Sequence, residues 1–213
     1  MFYLFPQAIS KKECEKLLDY CIKHTEFKDA VILKKDEADT ASGIAIGRVD
    51  PKIRKTDIAF VEPDTTQEDN KVNEIAWNFL NEANERKFNY KLDSYQAVQF
   101  ARYRDGGHYN WHRDVNEDAL VPNGECRKLS LTFALTNPKD YEGGELQFYN
   151  GGWPQIDIPL SDGGMIPGEQ VQEDIRAQGS VIVFDSRDWH RVTPVTKGTR
   201  YSIVCWSVGP NFV

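Results

Sequence analysis

Long apolar runs are missing from this chain of 213 residues, so no segment is suited to cross a bilayer as a helix and a membrane is not expected as a partner. The first residues, Met1 to Pro6, lack both the basic n-region and the apolar stretch of a signal peptide. Cysteine is scarce: Cys14, Cys21, Cys126 and Cys205 stand far apart and form no CxxC pair, which leaves a zinc ribbon or a thioredoxin-type redox site without support. Free thiols in a reducing, cytoplasmic setting are the expectation, with Cys14 and Cys21 as core side chains of a helix. Positive charge is in deficit, 26 Lys and Arg against 33 Asp and Glu, and beyond residue 60 the balance is 15 against 23. An acidic surface repels a phosphate backbone, so nucleic acid is a disfavoured partner. The one small basic cluster, Arg48, Lys52, Arg54 and Lys55, reads as a solvated loop. No internal repeat or low-complexity stretch interrupts the chain.

The length suits one domain, 1–213, with a core large enough to need no staples. Within it, 1–90 reads as a helical and strand support region and 91–213 as a β-rich core. Ser10 and Glu13 have capping-box spacing, and Cys14, Leu17, Leu18, Cys21 and Ile22 follow at helical period, which predicts a helix over 11–24. A second helix should open at Thr65 to Glu68, show Val72, Ile75, Ala76, Phe79 and Leu80 on one face, and run to about residue 85. From Leu92 the texture changes to short β-branched and aromatic runs at 95–104, 109–114, 127–135, 145–149, 155–158, 180–184, 189–194 and 200–208, parted by Gly, Asn, Asp and Pro. Eight such runs predict an antiparallel sandwich or barrel, a jelly roll being one option. The long connection 161–178 is a lid or substrate-contact candidate. A monomer is expected, and with seven residues after Trp206 no added carboxy-terminal domain is expected.

Histidine is scarce as well, with His24, His108, His112 and His190 as the full set. In an extended strand, His112 and Asp114 would point the same way, roughly 7 Å apart along the backbone, and could share a cation. Arg113 between them would face away. His108 stands four before His112, but Gly106 and Gly107 discourage the helix that a His-x3-His zinc site needs, and Tyr109 replaces the Glu of a metalloprotease. His24 falls at the end of a helix, where the dipole favours it. His190, 78 residues after His112 and at the start of a strand, is therefore the candidate third ligand. Two His and one carboxylate form a facial set suited to non-haem Fe(II), with three positions left for a bidentate oxoacid and dioxygen. Arg200, ten residues after His190 and past a turn, offers a planar fork for a distal carboxylate. Ser202, Val204 and Trp206 share its face of the strand, so Ser202 would put a hydroxyl near that carboxylate and Trp206 an indole wall.

With these residues the sequence resembles the Fe(II)/2-oxoglutarate-dependent dioxygenases, in their prolyl 4-hydroxylase-like branch, over roughly 94–209. The resemblance runs in order through Phe100 to Tyr103, Gly106, Gly107 and Tyr109, His112 and Asp114, Arg127 to Thr132, Tyr141 to Leu146, Gly179 and Ser180, His190 with Pro194, and Gly198 to Trp206. It implies a mainly β fold with flanking helices (α+β), a double-stranded β-helix core packed by amino-terminal helices. It also implies Fe(II) on His112, Asp114 and His190, and 2-oxoglutarate held by Arg200, with Tyr103 donating a hydrogen bond and Ser130, Thr132 and Ala134 on the cosubstrate-lining face. Ala134 stands where some prolyl hydroxylases have a Tyr, which would pass that contact to Tyr103 or Thr132. Leu146, Val192 and Trp206 resemble wall residues around the metal, and Tyr109, Arg102 and Trp189 complete the substrate pocket. The implied reaction turns 2-oxoglutarate and O2 into succinate and CO2 while a C–H bond is hydroxylated, with ascorbate as reductant.

The implied substrate is proline in a peptide or protein, which Arg102, Arg104, Trp153 and Trp189 would contact. The alternatives are a free amino acid or small metabolite, then an AlkB-type nucleic-acid demethylase, which the acidic balance disfavours, and a non-catalytic cupin-like binding module.

Overall fold

The structure is a computed structural model and describes residues 2–38, 45–115, 125–149, 158–159, 165–166 and 173–212. Two antiparallel sheets face each other. The larger runs, in spatial order, through Tyr3–Phe5, Val181–Asp185, Glu125–Ala134, Val195–Pro210, Val98–Arg104, Asp57–Val61 and Lys28–Asp29. The smaller runs through Leu146–Phe148, His190–Val192, His108–His112 and Arg54–Lys55. Residues before 90 thus supply strands to both sheets as well as helices. This is the double-stranded β-helix core with flanking helices that the resemblance implied.

The strands sort their side chains by alternation. Val98, Phe100, Leu131, Phe133, Val181, Val183, Ile203 and Cys205 turn to one face of the large sheet, where the two helices cover them. Helix Lys11–His24 starts at Ser10, whose hydroxyl accepts the Glu13 amide at 3.2 Å, and buries Cys14, Leu17 and Cys21. Helix Gln67–Ala83 starts at Thr66, which accepts the Asp69 amide at 3.0 Å, and buries Val72, Ala76, Leu80 and Ala83. A π-helical turn, Asn84–Phe88, follows and ends on Asn89 at φ 54°, a left-handed conformation that Asn tolerates. Burial pushes the thiols of Cys14 up to about 11 and of Cys21 and Cys205 up to about 12, so all three stay protonated and inert.

The opposite face of the same strands carries Tyr103, Thr132, Arg200, Ser202, Val204 and Trp206 toward the smaller sheet, around a cavity of about 640 Å³. One irregularity disturbs the alternation. The register between Glu125–Ala134 and Val195–Pro210 slips between Arg127 and Leu129, and the freed Leu129 amide donates to Ser207 Oγ at 3.1 Å. Arg127 and Leu129, two apart, therefore lie on opposite faces: Leu129 under the helices and Arg127 in the cavity.

One expectation changes here. The strand that carries His112 ends there, and Asp114 follows in a bend whose amide donates to Ser186 O at 2.9 Å. The approach of Asp114 to His112 thus comes from this pinned bend, not from strand alternation. Of the connection 161–178, only 165–166, paired with 158–159, and 173–178 are described; Trp153 and the rest of a lid lie outside the described residues.

Candidate functional site

His190 and His112 are a cross-strand pair on the smaller sheet, their rings 4.1 Å apart between centroids. Asp114 Oδ1 lies 3.5 Å from His112 Nε2 and Asp114 Oδ2 3.6 Å from His190 Nε2. The three ligand atoms all fall within 4.8 Å of one another. Each imidazole is oriented through its other nitrogen: His112 Nδ1 contacts Asn110 O at 2.7 Å and His190 Nδ1 contacts Asp188 O at 2.9 Å. A carbonyl partner requires N–H at Nδ1, so Nε2 keeps its lone pair toward the common centre. Burial holds His190 down at about 4, which leaves the ring neutral near pH 7. Burial would push the Asp114 carboxyl up, but the imidazoles of His190 and His112 outweigh it and hold it well below the usual range. Two imidazole nitrogens and one carboxylate on a shared side make a fitting facial donor set for Fe(II).

Ser130, expected near the cosubstrate, donates to Asp114 Oδ2 at 2.6 Å and touches Ser186 Oγ at 2.9 Å, so it acts on the carboxylate instead. Tyr109 stacks on His112, with centroids 3.4 Å apart, and Phe184 meets His190 edge-on at 4.6 Å. Burial raises the Tyr109 hydroxyl to about 12, so it stays a proton donor. His108 is absent from this cluster; its Nδ1 contacts Gly106 O at 2.9 Å.

Arg200 is 6% exposed, donates to Ser202 Oγ at 3.2 Å and lies 5.2 Å from the centre of the Tyr103 ring. No carboxylate among the described residues lies within salt-bridge distance of it. A Cβ added to Gly144, at φ +62°, would sit 2.9 Å from Arg200 Cδ and from Val195 Cγ2. Only a glycine leaves the Arg200 stem its place there. Thr132, Ala134, Tyr141 and Ser180 line a small recess behind the guanidinium. Tyr141 and Gly144, within the 141–146 motif, thus join the site.

Leu146, Val192, Tyr109, Trp189 and Trp206 line the cavity, and Trp206 Nε1 is buried without a hydrogen-bond partner among the described residues. Arg113, expected to face away, lines it too, its guanidinium 5.3 Å from the Trp189 ring. Arg102 does not line it. That side chain lies on the helix-facing side of its strand, where it packs 4.0 Å over Phe27 and pairs with Asp57 at 2.9 Å. Arg104 shares the same carboxylate at 3.1 Å. Arg54 corrects the reading of a solvated basic loop. It is 8% exposed, stands 4.5 Å over the Tyr109 ring and lines the cavity.

Fold and cluster together define a β-helix protein with a two-histidine, one-carboxylate centre between its sheets. Residues 98–208 match the family described as the 2OG-Fe(II) oxygenase superfamily, and the chain belongs to it. Among curated relatives, a PKHD-type hydroxylase of Gloeothece citriformis is 37% identical over 111 residues, 52% of this chain and 41% of the relative. A PKHD-type hydroxylase of Acidovorax ebreus is 33% identical over 51% of this chain and 41% of its own length. The chain thus matches about two fifths of the length of these relatives. Among solved structures, a Pseudomonas putida prolyl-4-hydroxylase superposes with a TM-score of 0.60 at 18% identity, covering 97% of this chain and 91% of that one. A Trichoplax adhaerens prolyl hydroxylase in complex with a hypoxia inducible factor peptide gives 0.62 at 19% identity, covering 97% and 82%. These two likenesses speak to the fold.

Proposed function

We propose that the chain is an Fe(II)- and 2-oxoglutarate-dependent dioxygenase that hydroxylates a C–H bond of a prolyl residue in a peptide or protein. One observation carries the reading: the His112, Asp114 and His190 cluster opens on the same cavity as the buried, carboxylate-free Arg200. In this scheme His112, Asp114 and His190 hold the iron, and Arg200 with Ser202 takes the far carboxylate of 2-oxoglutarate. When bound, iron and cosubstrate supply the oxidant: O2 and 2-oxoglutarate give CO2 and succinate, and one oxygen atom goes to the substrate carbon. The chain's own task is to position that carbon and keep water out.

Ser130 holds Asp114 through Oδ2, and the Asn110 and Asp188 carbonyls hold the two rings, so the donor set is fixed before any ligand arrives. Leu146, Val192, Phe184 and Trp206 wall the centre with apolar surface. At the mouth, Trp111 and Tyr149 meet edge-on at 5.7 Å, and Trp189 is half exposed. Such an aromatic rim suits an extended peptide. The prolyl assignment itself leans on the names of the solved neighbours. The acidic balance supports a substrate other than nucleic acid.

The test is a succinate assay with Fe(II), 2-oxoglutarate, ascorbate as reductant and a panel of proline-containing peptides, read by mass spectrometry. Succinate matched by a one-oxygen mass gain on a peptide is expected. Succinate formed across the panel with no peptide gaining oxygen would reject the prolyl assignment.

A further inference from the structure

Arg54, buried, and Arg127, half-buried, are cations that the scheme above leaves unused. Arg127 donates from Nε to Gln96 Oε1 at 2.9 Å and from Nη1 to Asp114 O at 3.5 Å, and stacks 3.9 Å over Trp206. Both of its polar partners are neutral, and burial lowers its pKa. The Arg54 guanidinium stands over the Tyr109 ring, and its buried Nε has no hydrogen-bond partner among the described residues. Neither has a carboxylate within salt-bridge distance among the described residues, although burying an unpaired charge is costly.

Their placement is specific. Arg54 and Tyr109 are cross-strand partners, and Tyr109 stacks on His112, so the Arg54 guanidinium is one ring away from a ligand of the centre. Arg127 reaches the backbone of Asp114, the next ligand. The β-bulge after Arg127 turns it inward, and the edge strand Arg54–Lys55 delivers Arg54 to the same cavity. With Arg113 and Arg200, four arginines line this cavity, and Asp114 is the one carboxylate among its described lining residues. A dianionic cosubstrate and a divalent cation would offset each other, so an excess of positive charge remains.

We propose that Arg54 and Arg127 form an anion subsite for the primary substrate, holding a carboxylate beside the carbon that is hydroxylated. The carboxylate is either the free terminus of the substrate or an acidic side chain next to the target residue. Two planar forks meeting one carboxylate give both charge and direction, which Lys supplies less well. Combined with the reading above, the target would be a carboxy-terminal or acid-flanked proline, or free proline. The inference depends on the cavity being the reaction chamber, and not on the substrate being proline.

The test uses the full chain with Mn(II) in place of iron and saturating 2-oxoglutarate, so that the Arg200 position is filled. Calorimetry then compares N-acetylproline and N-acetylvaline, each as free acid and as amide, with N-acetyl-Pro-Asp amidated at its carboxy terminus alone, its side-chain carboxylate free, as the side-chain arm. The acids are expected to bind at least about tenfold tighter than their amides, the worth of one good charged contact. Arg54→Gln and Arg127→Gln should each remove most of that preference while 2-oxoglutarate affinity stays within about twofold. Arg54→Lys, which keeps the charge, should retain part of it and guards against a loss caused by misfolding. A preference shared by the valine pair keeps the subsite and counts against proline. Tight binding of the Pro-Asp peptide amide names the side chain as source, and tight binding of the acids alone names the terminus. Equal affinity of acids and amides would overturn the subsite, as would variants that weaken 2-oxoglutarate and leave the acid preference intact.

Discussion

The two faces of the large sheet are made by the same strands and do opposite things. On the helix side, Phe100, Leu129, Leu131, Phe133 and Ile203 are fully buried among other apolar groups. On the cavity side, Ser130, Thr132, Arg200 and Ser202 are nearly as buried but polar or charged. Buried polar groups cost free energy unless partnered, so the cavity face subtracts stability that the helix face supplies. A protein keeps such a face where a ligand is to complete it.

Changes on the two faces should therefore separate activity from stability. The largest expected effect is on the cavity side: His112→Ala should abolish succinate formation while the far-ultraviolet spectrum stays that of wild type. Turnover retained in that variant would mean the centre lies elsewhere. Arg200→Gln should raise the KM for 2-oxoglutarate by about 10- to 100-fold, as expected for loss of a charged, bidentate contact, with little change in Tm. A large fall in Tm with an unchanged KM would turn Arg200 into a structural residue.

Leu131→Ala on the helix side should do the reverse, costing about 2–5 kcal/mol in denaturant unfolding while folded protein keeps its KM for 2-oxoglutarate. A loss below about 1 kcal/mol would show that this face relaxes around the gap. The smallest effect concerns pH. Burial depresses His190 to about 4 from 6.5, so the unfolded chain takes up this proton first. Metal-free protein should hold a constant contribution above about pH 6.5 and lose up to about 3 kcal/mol as the pH falls toward 4. Mn(II) should flatten that loss, because a bound cation keeps the ring neutral. A flat metal-free profile between pH 6.5 and 4 would place His190 in contact with solvent.

Much of this was legible in one dimension. Helical period, with capping at Ser10 and a start signal over Thr65 to Glu68, located both helices, because those signals are local. Alternation located the inward face of Val195–Pro210, with Arg200, Ser202 and Trp206, because that strand keeps its phase through this stretch. Alternation alone could not place Arg102, which was expected at the substrate pocket. The count runs correctly, since Phe100 and Arg102 share parity, but only packing shows that this parity belongs to the helices. It failed also at Asp114, since a strand end depends on partners such as Ser186 that are remote in sequence.

What the sequence by itself determined is the set of chemical groups and their order: two scarce histidines and a carboxylate around a β-rich stretch, with an arginine after them. Scarcity helped, because four histidines leave few ways to complete a metal site. The tertiary structure alone decided which other charges share that space. A one-residue bulge turns Arg127 from the apolar face to the cavity, and an edge strand brings in Arg54 from a cluster that reads as solvated. Both are matters of register and packing between distant segments, and neither leaves a periodic trace in the chain.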